Sequence, residues 1–311
     1  MVIEREDSIG KKTIISFDVG GHYIKYARIV DGKSERLRKI ETNREDVLSS
    51  LYSILDNAEK FHGISVGFPG FVNNGVVMYP PNFPAIEILP VQEILHQRYN
   101  VPVVVENDAN LYALGEYTAG AGKESKNMVL FTLGTGVGGG IVIDGEIYRG
   151  SRGFAGELGH IIINPDGPLC GCGMRGCLEA YIGAERIIET FVGYRRKGFA
   201  SVLDYPESVK EIYLAAMNGD PLSRFIFSLV GKYLGLAIVS LVNILDPDLF
   251  VIGGGISGAW KFIKIGVEEV LNQRLIEGVK VKRGKLGDRA GIIGGWYFLE
   301  KYGQHQASRT Y

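Results

Sequence analysis

The stretch Met128-Val129-Leu130-Phe131-Thr132-Leu133-Gly134-Thr135-Gly136-Val137-Gly138-Gly139-Gly140-Ile141-Val142-Ile143-Asp144-Gly145-Glu146-Ile147-Tyr148 decides how this chain is read. Residues 134–139 satisfy G-x-G-x-x-G behind an apolar strand, the pattern of a dinucleotide-binding turn. That pattern must open a helix whose N-terminal amides hold a pyrophosphate. Here residues 141–148 read as a returning strand instead. A glycine hairpin still lets bare backbone amides approach a phosphate, because no Cβ stands in the way. Taken alone it reads equally well as an ordinary tight turn.

The same order of parts opens the chain. Residues 13–18 read as a buried strand, Gly20-Gly21 as a turn and residues 23–30 as a returning strand. Thr42-Asn43-Arg44-Glu45 has the form of a capping box ahead of apolar residues at helical spacing from Val47 to Phe61. Residues 64–68 and 101–105 read as short buried strands, 69–84 as a loop and 91–99 as a helix. Beyond the second hairpin the pattern predicts helices near 184–197, 208–217 and 221–245, the last with Asp220 as cap and Pro221 at its first position. A strand at 249–252, a helix near 259–275 and a final helix near 289–302 complete the reading, with 304–311 as a frayed tail.

Alternating α and β elements imply an α/β protein with mostly parallel sheets. A chain of 311 residues exceeds what one core usually organises. The expectation is two similar α/β domains, 1–120 and 121–288, with a cleft between them and a helix at 289–303 crossing back to complete the first.

A hydrophobic content of 46% excludes a disordered chain, and a net charge of -1 gives no overall field to gather nucleic acid or anionic lipid. The basic runs at 194–197 and 280–285 read as solvated faces. Residues 1–12 lack the order of a secretory signal, and the apolar run 234–245 is too short to cross a bilayer. A cytoplasmic protein that engages neither nucleic acid nor membrane is expected. Its three cysteines are packed between 170 and 177, which fits a metal site in a reducing compartment better than a disulfide framework.

Asp18, beside the first glycine turn, is a candidate for holding Mg²⁺ through water, since a carboxylate next to a phosphate needs a cation between them. Gly253-Gly254-Gly255 leads from a strand into a helix and is placed to receive a nucleoside. Asn107 and Asp108 stand at the C-terminal end of a buried strand, where open α/β sheets place ligands. One carboxylate suffices to orient an attacking alcohol and take its proton, which suits Asp108, while Asn107 suits a hydrogen bond to a sugar. The alternative for this segment is an N-cap of the following helix. His160 with Cys170, Cys172 and Cys177 offers the four-ligand shell of structural zinc, and the alternative is small buried thiols beside an uncoordinated histidine. Glu157 and Glu179 flank that set and would meet sugar hydroxyls, or simply be solvated.

These segments, taken in order from about Ile14 to Gly295, resemble the ROK family of sugar kinases and repressors, whose duplicated ribonuclease-H-like fold is shared with actin, hexokinase and heat-shock ATPases. The resemblance rests on Asp18-Val19-Gly20-Gly21, Glu106-Asn107-Asp108-Ala109-Asn110, Leu133-Gly134-Thr135-Gly136, Gly156-Glu157-Leu158-Gly159-His160, the run from Cys170 to Glu179, and Gly253-Gly254-Gly255. It implies an ATP- and Mg²⁺-dependent kinase, first of all a glucokinase, with Asp108 as catalytic base. Gly70, Asn82, Asn107, Glu157, His160 and Glu179 would hold the hexose, Gly20, Gly21, Thr135 and Gly136 the phosphates, and Gly254 and Gly255 the adenosine. It also implies structural zinc, domain closure and a homodimer or homotetramer. Three positions depart from the family pattern: His22 stands where a small hydroxyl residue is usual, Asn73 where aspartate is commoner, and residues 81–86 lack a frequent Gly-Trp. N-acetylglucosamine, N-acetylmannosamine, fructose and allose are the alternative substrates. A sugar-sensing regulator is the alternative class, and the 12 residues ahead of the first strand are too few for its DNA-binding domain.

Overall fold

The computed structural model describes residues 12–273 and 278–306, so the tail expected at 304–311 lies mostly outside the described residues. The chain divides into two units. One holds the described residues up to 115 and from 291 onward, and the other is Glu116–Ala290.

The first unit opens with β1 (Thr13–Val19) and β2 (Tyr23–Val30), an antiparallel hairpin in which Thr13 faces Val30 and Val19 faces Ile24. β3 (Lys33–Ser34) and β4 (Arg38–Glu41) both pair with β2. After α1 (Val47–Leu55), β5 (Ile64–Phe68) runs parallel to β1. The segment 69–84, expected to be a loop, instead contributes β6 (Phe71–Asn73) and β7 (Val76–Met78) to a small antiparallel sheet completed by β8 (Ile88–Leu89). Asn74 and Gly75, both at positive φ, make the tight Asn-Gly turn that this sheet needs. α2 (Val91–Tyr99) follows, then β9 (Val103–Asn107) parallel to β5, and α3 (Asp108–Ala119). The main sheet has the order β3-β2-β1-β5-β9.

In the second unit, β10 (Met128–Leu133) pairs antiparallel with β11 (Val137–Ile143). The returning strand thus begins inside the glycine run, four residues before its expected start at 141. It ends at Asp144-Gly145, both at positive φ, where the chain reverses into β12 (Glu146–Ile147). α4 (Glu179–Ile182), α5 (Ala184–Arg196), α6 (Val209–Met217) and α7 (Pro221–Leu245) come next, followed by β13 (Leu249–Gly253), α8 (Trp260–Gln273) and β14 (Val281–Arg283). β13 lies parallel to β10, and β14 parallel to β13, giving the order β12-β11-β10-β13-β14. Each unit therefore repeats one plan: an antiparallel hairpin, then two strands parallel to its first member.

α7 is long and apolar enough to cross a membrane by length and composition. It is instead the core helix of the second unit, with Leu222, Ile226, Phe227, Leu234 and Ile238 almost wholly buried. Gly231 and Gly235 let α8 close on it: a Cβ at 231 would stand 1.9 Å from the Ile263 carbonyl oxygen. Asp220 caps α7 by accepting from the Ser223 amide at 2.8 Å. The last helix, α9 (Ala290–Gln306), belongs with the first unit. Its Ile292 carbonyl accepts from Ser16 Oγ at 3.0 Å, and a Cβ at Gly295 would meet Ser16 and Ser65.

Candidate functional site

On the first unit, β9 delivers Asn107 and α3 begins with Asp108. The capping expected of this segment falls to Asn107: its Oδ1 accepts from the amides of Ala109 at 2.9 Å and Asn110 at 3.0 Å. Its Nδ2 donates to the Gly70 carbonyl at 3.0 Å. Gly70 has φ +94, and a Cβ there would lie 2.8 Å from Pro80 Cα, so only glycine fits comfortably. Asp108 is half-buried and accepts from the Ala109 amide at 2.8 Å. Beneath this pair sits a residue to which sequence reading attached no role. Glu106 is 4% exposed, and its Oε1 accepts from the Asn107 amide at 2.9 Å and Asn110 Nδ2 at 3.0 Å. The signal was present, since a carboxylate ending an all-apolar strand needs dedicated partners.

At the end of the β1–β2 hairpin, Gly20 donates its amide to the Tyr23 carbonyl at 3.0 Å. A Cβ on Gly21 would stand 2.7 Å from Asn82 Cγ, so Asn82, expected at the sugar, lies against the turn expected at phosphate. Asp18 is half-buried, with Lys25 Nζ 3.8 Å from its Oδ2, and Gly291 at the start of α9 nearby. The residues read as a capping box do something else. Thr42 Oγ1 donates to the Gly20 carbonyl at 2.7 Å, the Thr42 amide to His22 at 3.0 Å, and Arg44 Nε to Gly21. The helix cap moves to Asp46, whose side chain accepts from the Ser49 amide. Thr42 and Arg44 thus clasp the first glycine turn.

On the second unit, Thr135 is exposed at the tip of the β10–β11 turn. Gly136 faces Glu179, whose Oε2 would be 2.4 Å from a Cβ there and accepts from the Val137 amide at 2.8 Å. The Gly134 and Thr135 carbonyls accept from the Ala184 amide at the start of α5. Gly254, at φ +79, packs so closely on the end of β10 that a Cβ would lie 2.3 Å from the Leu133 carbonyl oxygen, while Gly255 faces open space. Parallel pairing of β10 with β13 therefore brings two of the three glycine loops side by side.

His160, Cys170, Cys172 and Cys177 place one ligand atom each within 4.8 Å of all the others. Cys170 Sγ is 3.6 Å from His160 Nδ1, and Cys172 Sγ is 3.6 Å from Cys177 Sγ. A tetrahedron with Zn–S bonds of ~2.3 Å has edges of about 3.8 Å, so both separations suit one ion. Burial, then the neighbouring thiols, push Cys177 up to about 12; burial also raises Cys170, while a hydrogen bond from the Met174 backbone lowers Cys172. Thiolates this close repel one another unless a cation lies among them. Glu179 Oε1 accepts from Cys170 Sγ at 3.8 Å, tying the carboxylate to the same knuckle. The other imidazole nitrogen, Nε2, is 4.0 Å from Glu157 Oε2. Glu157 keeps 42% of its side chain exposed, yet its carboxyl is pushed above the ordinary range, first by burial on its protein side and further by the Glu179 charge, against the pull of His160. Glu157, His160 and Glu179 therefore form one polar group around the cysteine knuckle.

The sequence profile of the ROK family matches residues 14–301. A glucokinase of Halalkalibacterium halodurans is 36% identical over 92% of this chain and 94% of its own. Among solved structures, a ROK family glucokinase from Streptomyces griseus in complex with glucose and AMPPNP superposes with a TM-score of 0.81 at 30% identity, covering 94% of this chain and all of that one. A ROK family transcriptional regulator, a homologue of the E. coli MLC protein, superposes with a TM-score of 0.85 at 28% identity, covering 94% of this chain and 78% of that one.

Proposed function

The chain belongs to the ROK family, and from that premise we propose that it is an ATP-dependent glucokinase, converting glucose to glucose 6-phosphate. The observation that carries the reading is the division of labour at the end of β9. Asn107 takes the capping of α3 and the contact to Gly70, and Asp108, half-buried, stands beside it at the strand end. There it orients the sugar hydroxyl and accepts its proton as the sugar oxygen bonds to the γ-phosphorus of ATP and the bond to the β–γ bridging oxygen breaks, releasing ADP.

On the first unit, Asn107, Gly70 and Asn82 hold the hexose, and Gly20 and Gly21 offer amides to the phosphates, with Asp18 beside them for Mg²⁺. On the second unit, Glu157, His160 and Glu179 take sugar hydroxyls, Thr135 and Gly136 meet the phosphates, and Gly254 and Gly255 the adenosine. Magnesium, when bound, neutralises charge on the transferring phosphoryl group. His160 Nδ1 and the three cysteine sulfurs would hold structural zinc, which would fix the imidazole with Nε2 free to meet the sugar. Support for this comes from the two 3.6 Å separations.

A coupled assay of ADP release tests the function against glucose, N-acetylglucosamine, N-acetylmannosamine, fructose and allose. Turnover is expected to be fastest with glucose. A faster acetamido sugar would reassign the substrate. Binding of hexose without any ADP release would point to a sensor such as the family's regulators.

A further inference from the structure

Away from the loops already described, the first unit carries a groove of about 480 Å³ among β2, β4 and the C-terminal half of α1. That volume lies in the range of small-molecule sites. Its floor is apolar: Ile15 and Ala27 are buried, and Ile40 and Ile54 half-buried. Its rim is charged. Arg36 and Arg38 are exposed, and neither makes an ion pair among the described residues. Glu35 is also exposed there, while Glu59 is paired with Arg28 Nη1. Arg28 lies beside them with its Nη1 taken by Glu59. An apolar floor beneath guanidinium groups suits a phosphate monoester, because the planar fork of arginine matches phosphate oxygens.

The groove also has a direct structural link to the first glycine turn. β4 lines it with Arg38 and Ile40 and runs straight into Thr42. Thr42 in turn holds Gly20 through its hydroxyl and His22 through its amide. A ligand that fixes β4 therefore fixes the residue that clasps the turn.

We propose that this groove is a second, regulatory site for a small phosphate monoester. Arg36 and Arg38 hold its phosphate, the Ile15–Ala27–Ile40 floor takes its organic part, and occupancy acts through β4 and Thr42 on the Gly20-Gly21 turn. The coupling half rests on the reading of that turn as an ATP-phosphate loop; the binding half does not depend on which sugar, if any, is turned over.

The test follows backbone amide resonances of the full chain, saturated with glucose and AMPPNP, as phenyl phosphate is added, with inorganic phosphate and benzoate as separate arms. Phenyl phosphate is expected to move resonances at residues 26–28, 38–42 and 53–58. Arg36→Gln and Arg38→Gln, both at exposed positions, should each weaken binding about tenfold or more. In the kinetic arm, saturating phenyl phosphate should change the KM for ATP by about fivefold or more. Equal binding of inorganic phosphate or benzoate, shifts indifferent to both arginine variants, or no shifts at all would overturn the site. Site-specific binding with an unchanged KM for ATP would overturn the coupling.

Discussion

Asn107 and Asp108 are neighbours for which different duties are proposed. Asn107 uses its oxygen on two helix amides and its nitrogen on the Gly70 carbonyl. Asp108 accepts from the adjacent Ala109 amide at 2.8 Å and is half-buried. Replacing Asp108 with Asn keeps the shape and removes the proposed base. Turnover should fall by roughly 10²–10⁴-fold while hexose binding, followed by calorimetry, stays within a few-fold of the parent. Unchanged kcat would refute the assignment. Asn107→Ala should also raise the KM for glucose and cost about 1 kcal/mol in denaturant unfolding, through the lost cap. The residue types and the strand end were legible in the sequence. That Asn107, not Asp108, would be the cap was not, because both residues are good caps and only the path of the chain at Gly70 chooses between them.

At the scale of elements, local chemistry was most readable where the cap and the apolar period agreed. α7 starts at Pro221 behind Asp220, as those two residues require. Burial works against ionisation of Asp220, but hydrogen bonds from Ser223 and Val202 outweigh it and hold its carboxyl below the usual range. A depressed folded-state value means that this group's stabilisation is complete above the unfolded-state value and is lost as pH falls through the folded one. Asp220→Ala should therefore cost about 1–2 kcal/mol near neutral pH, with the gap to the parent closing below about pH 4. A gap that persisted at low pH would assign the loss to packing. The same logic misled at Thr42-Asn43-Arg44-Glu45, where a capping-box pattern serves the Gly20 turn instead. Caps are recognised by a side chain reaching its own next turn, and nothing local shows that Thr42 reaches across the sheet. The sheet of β6, β7 and β8 was missed although Asn74-Gly75 marks its turn, because strands of two or three residues carry too little alternation to be seen.

For the molecule as a whole, the cysteine knuckle is the element whose loss should be felt farthest. Glu179, two residues beyond Cys177, accepts from the Val137 amide, and His160 stands 4.0 Å from Glu157, so the knuckle adjoins both. Chelation, or Cys172→Ala, should lower the unfolding midpoint of the chain by about 5 °C or more and raise the KM for glucose more than it lowers kcat. Elemental analysis should find one zinc per chain. A metal-free protein with full stability and an unchanged KM would end the zinc assignment. The sequence alone determined the alternation of elements, the apolar faces and the glycine turns, and it marked the one histidine and three cysteines that lie together in the knuckle, since periodicity, caps and donor chemistry are local. It also carried the family resemblance, through motifs whose order survives without coordinates. Only the tertiary structure decided that two hairpins recur in one strand order, that Glu106 underpins Asn107, that Thr42 and Arg44 clasp the first turn, and that α7 is a core helix. Those outcomes depend on which distant segments share a sheet or a close approach, and long-range pairing leaves no periodic mark in the chain.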